Sequence, residues 1–133
     1  MGAWSASPFD NDDAADFMME LEATPSWDVV RDAFDAVLAS AESIELPDGA
    51  RAYAAAALVT VATGKSDVSA QDVYMTLEAM GQMPEDIPAR ARLALRRLTR
   101  GDSEIRELFL DSGSYQSWLE MVSAVDAALE ASA

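Results

Sequence analysis

Ala52-Tyr53-Ala54-Ala55-Ala56-Ala57-Leu58-Val59-Thr60-Val61-Ala62-Thr63-Gly64 is an unbroken uncharged run of 13 residues in a chain of 133. A helix that spans a bilayer needs about 20 apolar residues, so this run is too short to cross one. Tyr53, Ala54, Ala57, Leu58 and Val61 recur at three- and four-residue steps, and Ala55, Ala56 and Ala62 make the opposite side nearly as apolar. A helix apolar all round must be covered on several faces. The spacing therefore predicts a central helix from about Ala50 to Thr63, with Gly64 just past its end.

Toward the N-terminus, Leu46-Pro47-Asp48-Gly49 reads as a break. Before it, Trp27, Val30, Phe34, Val37, Leu38 and Ala41 place one apolar stripe on a helix ending near Ser43, with Asp28, Asp32 and Asp35 off the stripe. Thr24-Pro25-Ser26 is the stop and restart that separates it from a first helix through Phe17, Met18 and Leu21. Two short helices joined so tightly are expected to pack antiparallel.

Toward the C-terminus, Ser69-Ala70-Gln71-Asp72 resembles a capping box, with Val73, Leu77 and Met80 recurring up to Gly81. Asp86 is placed to cap a helix whose apolar stripe is Ile87, Ala91, Ala94, Leu95 and Leu98 and whose other positions include Arg90, Arg92, Arg96, Arg97 and Arg100. That is the only basic element, and its arginines are expected to pair with the acidic first helices. Ser103 restarts a helix through Ile105, Leu108 and Phe109. After Gly113, the steps Tyr115, Trp118, Leu119, Val122, Val125 and Leu129 predict a docked last helix to about Glu130. The chain reads as all-α: a single domain over residues 1–133, with six or seven short helices in irregular orthogonal or bundle-like packing and an N-terminal arm, residues 1–9, laid on them.

Composition agrees. The chain holds 26 alanines and is half hydrophobic, enough for one core and too short for two ordinary domains. Without cysteine no disulfide holds the fold, and the start lacks the basic and apolar pattern of a signal peptide, so a cytoplasmic protein is expected. The formal net charge is −15, and residues 1–48 alone carry twelve acids against Arg31. Such a front repels nucleic acid and anionic membranes and attracts a basic protein.

The densest acids lie in Asp10-Asn11-Asp12-Asp13-Ala14-Ala15-Asp16-Phe17. Helix-start carboxylates can accept the free N–H groups and favour the dipole, but four aspartates exceed what one cap requires. An EF-hand loop counted from Asp10 would need glycine where Ala15 stands and glutamate where Leu21 stands, so that motif fails. Trp4 and Phe9 just upstream are large enough to anchor the arm, or a partner. Met1-Gly2-Ala3-Trp4 followed by Pro8-Phe9-Asp10-Asn11-Asp12-Asp13-Ala14-Ala15-Asp16-Phe17 resembles the opening of the bacterial family called domain of unknown function 4259. The resemblance implies no activity.

Histidine and cysteine are both absent, which removes the usual neutral-pH base, the thiol nucleophile and imidazole or thiolate metal ligands. No glycine-rich phosphate loop or nucleophile elbow appears. The expectation is a non-catalytic protein-binding module, immunity- or antitoxin-like, with no cofactor and a basic protein partner. Its binding residues would be Trp4, Phe9, Asp10, Asp12, Asp13, Asp16, Glu20, Asp28, Asp32 and Asp35, with Trp27 as a further anchor. The alternatives are a carboxylate-based divalent-metal site or hydrolase at Asp10–Asp16, and an acidic mimic of nucleic acid.

Overall fold

In the computed structural model, which describes residues 6–65 and 71–132, seven helices follow one another. They are α1 (Asp12–Ala23), α2 (Trp27–Leu38), α3 (Leu46–Ala62), α4 (Gln71–Met80), α5 (Ile87–Arg100), α6 (Glu104–Ser112) and α7 (Tyr115–Ser132). The uncharged run lies in α3 and is buried at every position from Ala52 to Val61. Helices α1, α2, α5, α6 and α7 all pack against it. Burying Leu58, Val59, Val61 and Tyr53 removes large apolar surfaces from water, each worth about 1.5–3 kcal/mol. The architecture is all-α, one domain wrapped on a central helix.

The start of α3 comes earlier than its sequence suggests, because Leu46-Pro47-Asp48-Gly49 is its first turn and not a break. Pro47 fits there since first-turn N–H groups have no intrahelical partner to lose. Glu45, the capping residue, supplies no side-chain bond. Glu104 replaces it from α6, its Oε1 accepting from Leu46 N at 2.7 Å. The same corner is stitched by Ile44 N donating to Asp102 O at 3.0 Å and Glu104 N donating to Ile44 O at 2.8 Å. Drawing buried Ile44 down to this bridge requires extended chain, so α2 stops at Leu38 rather than near Ser43. Gly49 permits the close α3–α6 approach, since a Cβ there would stand 3.1 Å from Ile105 Cγ2.

Helix α1 packs chiefly on α3, and α2 packs equally on α3 and α5, so the two do not pack mainly on one another as their tight junction suggested. The larger apolar surface of α3 wins that competition. Ser26 caps α2, accepting from Asp28 N at 3.1 Å, and Ser103 caps α6, accepting from Arg106 N at 3.3 Å. Gly64 ends α3 at φ +75°, a left-handed conformation that a side chain would resist.

Trp118 of α7 is fully buried, stacked on Phe109 with ring centroids 5.4 Å apart and edge-on to Tyr53 at 6.4 Å. The last helix is docked through this aromatic group. Helix α4 differs, making only slight contact with any other helix. Its C-terminal end is tied by the indole of Trp27, whose Nε1 donates to Gly81 O at 3.1 Å. The Ser69–Asp72 capping box lies outside the described residues and side chains.

Candidate acidic interface

Helix α1 is capped by Asn11, whose side chain accepts from Ala14 N at 2.8 Å. The aspartates around it are therefore not consumed by capping. Ala14, Phe17 and Leu21 are buried, three and four residues apart, which turns Asp12, Asp16 and Glu20 outward at four-residue steps. Asp10 is exposed just before the helix and Asp13 is partly exposed.

Three of these acids face another element. Asp13, Asp16 and Glu20 meet Pro47, Asp48 and Arg51 from the start of α3 around a shallow recess of ≈ 220 Å³, with Phe17 among its walls. Arg51 is the one cation lining it. Its Nη2 lies 3.0 Å from Glu20 Oε1 and its guanidinium sits over the Phe17 ring, 5.7 Å from the centroid. Arg51 thus neutralises Glu20 and leaves Asp13, Asp16 and Asp48 as excess charge. The Asp13 carboxyl is raised above its ordinary 3.8, first by loss of water around it and then by repulsion from Asp16 and Asp12. Asp48 is the site residue that sequence reasoning missed. Had the helix been read from Leu46, the three-residue step from Asp48 to Arg51 would have placed both on the α1 side.

The acids of α2 are engaged differently. Asp35 Oδ1 takes Arg90 Nη1 at 2.7 Å, and Asp28 lies 3.7 Å from Arg31. Asp32 is exposed with no ion pair among the described residues. Asp86 was expected to cap α5, yet its carboxylate makes no capping bond. It lies instead between Arg31 Nη2 at 2.6 Å and Arg90 Nε at 3.1 Å, and the Arg31 hydrogen bond holds its carboxyl below 3.8. Two guanidiniums attract the carboxylate more strongly than backbone N–H groups that it would have to turn back to reach.

The arginines of α5 do not form one pairing face. Arg90 reaches Asp35, as expected of a basic helix beside an acidic one, but Arg92 turns to Asp126 at 3.0 Å and Glu130 at 3.5 Å on α7. Arg97 donates to the carbonyls of Glu42 at 2.6 Å and Asp102 at 3.1 Å. None of them reaches α1.

Of the aromatic anchors, Trp4 lies outside the described residues, Phe9 is half-buried, and Trp27 is only 6% exposed with its N–H bonded inside the protein. Trp27 is core. Among the described residues no group of three or more His, Cys, Asp or Glu is placed to hold a metal ion, and no helix is long and apolar enough to cross a membrane. The structure thus brings together Asp13, Asp16, Glu20 and Asp48, and leaves Asp28, Asp32 and Asp35 outside that recess.

Neither a curated protein nor a solved structure matches the chain. A family model does match, over residues 2–121, and that span takes in the acidic start of α1, the recess beside α3 and the first two turns of α7: the chain belongs to the family described as Domain of unknown function (DUF4259).

Proposed function

We propose that this protein is a non-catalytic binding module that takes a basic protein partner on the α1–α3 face. The supporting observation is the uncompensated charge there: Asp13, Asp16 and Asp48 share a recess whose single cation, Arg51, is already paired with Glu20. The Asp13 carboxyl is raised first by loss of water and then by repulsion from Asp16 and Asp12, and a partner's Lys or Arg offsets the repulsion when it enters. Exposed Asp10 and Asp12, with Asp32 on α2, extend the negative field that speeds encounter. Glu20, Asp28 and Asp35 contribute less, since each already faces an arginine. A small acidic module of this kind suits the neutralisation of a basic toxin, as an immunity protein or antitoxin does. Operation in the cytoplasm belongs to the same reading.

The test uses the whole chain as bait in host lysate, beside an Asp12→Asn, Asp13→Asn, Asp16→Asn variant shown by circular dichroism to be folded. A second variant removes equal charge at Glu107, Asp111 and Glu120 on α6 and α7. The expected result is a basic protein captured in stoichiometric amount by the wild type and by the α6–α7 variant, and lost by the α1 variant. Equal capture by all three, or none by any, sinks the proposal.

A further inference from the structure

The arm, α3 and α7 border a half-open cavity of ≈ 410 Å³ on which the acidic face makes no claim. Its walls include Phe9 from the arm, Ala57 of α3, and Met121, Ala124 and Ala128 of α7. Three of those five are alanines, whose short side chains leave open the space that longer residues would fill between packed helices. The arm wall is held in place, since Tyr53 donates its hydroxyl to Ala6 O at 2.6 Å. The volume falls within the ~300–1,000 Å³ range of small-molecule sites, and apolar walls with a few polar groups are their usual lining.

The charge at this cavity is opposite to that of the rest of the molecule. In a chain of net charge −15, no carboxylate is among the described residues that line it, whereas Lys65, the only lysine in the sequence, is. Lys65 N bonds to Thr60 O at 2.9 Å, which fixes the lysine backbone at the end of α3 beside the cavity wall. Its ammonium, on a flexible stem, can follow a carboxylate at the mouth.

We propose that this cavity binds a small amphiphile with an anionic head and a short hydrocarbon tail, of the medium-chain fatty acid class. The tail lies against Ala57, Ala124 and Ala128, and the head pairs with Lys65. An apolar tail supplies the affinity by leaving water, and the lysine selects the head's charge.

The experiment titrates decanoate, decanol and decylamine separately into the whole protein below their aggregation concentrations, followed by calorimetry and by NMR shifts of α7 amides. Decanoate is expected to bind saturably at one site that perturbs Ala124 and Ala128, and decylamine to bind more weakly. Lys65→Met, at an exposed turn where folding is not at stake, should weaken decanoate about two- to fivefold, as expected for losing one exposed ion pair, and leave decanol unchanged. Ala124→Phe, with its fold checked by circular dichroism, should abolish both. Absence of saturable decanoate binding overturns the proposal, as does decylamine binding as tightly as decanoate, or Lys65→Met binding decanoate as the wild type does.

Discussion

Asp16 should weaken the fold that carries it, and replacing it should strengthen the protein. Asp16 is exposed in α1 with Asp12 four residues before it, Asp13 three before and Glu20 four after. Like charges at these spacings cost a few tenths of a kcal/mol per pair. Glu20 is compensated by Arg51 at 3.0 Å, so Asp12 and Asp13 supply most of the repulsion. Asp16 lies beyond the first turn, where the dipole compensation that favours Asp12 and Asp13 has faded. Asn has nearly the same shape and helix propensity as Asp. Asp16→Asn is therefore expected to stabilise the protein by about 0.5–1 kcal/mol at pH 7, raising Tm by about 2–6 °C for a chain of this size.

The assay is urea unfolding followed by circular dichroism in low salt, in about 1 M NaCl, where screening acts within about 3 Å, and at a pH where the carboxylates are protonated. The stabilisation should shrink under both of the latter conditions. A variant no more stable than wild type in low salt would mean that the Asp16 carboxylate has a stabilising partner, and would refute the claim of uncompensated charge. Asp13 obeys the same sign. Its folded pKa is raised, so the stability it contributes is present below 3.8 and is lost as pH rises through the folded value, toward the pH at which a partner would bind.

Three further outcomes are expected. Glu104→Ala should cost about 1 kcal/mol by uncapping Leu46 N, and Glu104→Gln less because an acceptor remains; the urea midpoint at unchanged m reads both. Asp86 has a lowered folded pKa, so its stability is present above 3.8 and lost as pH falls through the folded value. Asp86→Asn should accordingly be less stable than wild type at pH 7 and converge with it in strong acid, as thermal melts across that window would show. Helix α4, which packs only slightly on its neighbours, should exchange its amide hydrogens well before α3, and comparable protection of the two helices would contradict that packing.

Helix content was legible because periodicity acts locally. The Ile87–Leu98 stripe and the Trp118–Leu129 steps each required burial of one helix face, the uncharged Ala52–Val61 run required cover on several, and burial is what the structure shows. The acid excess of the front half was equally legible, since charge is a property of composition. Helix ends were less so. The start of α3 depends on Glu104, 58 residues away from Leu46, and no local pattern encodes that bond.

The candidate site divides along the same line. Sequence alone determined that carboxylates crowd the start of α1, that histidine and cysteine chemistry is absent, and that the central helix had to be covered on several faces. Tertiary structure decided which carboxylates remain uncompensated: Asp35 and Asp86 are taken by Arg90 and Arg31, Glu20 by Arg51, while Asp48 joins Asp13 and Asp16. It also decided that Trp27 is core and that Lys65 stands at an alanine-walled cavity between α3 and α7. The physical reason is range: helix propensity and apolar period act over a few residues, whereas ion pairs and cavities exist only where packing brings distant residues within a few ångströms.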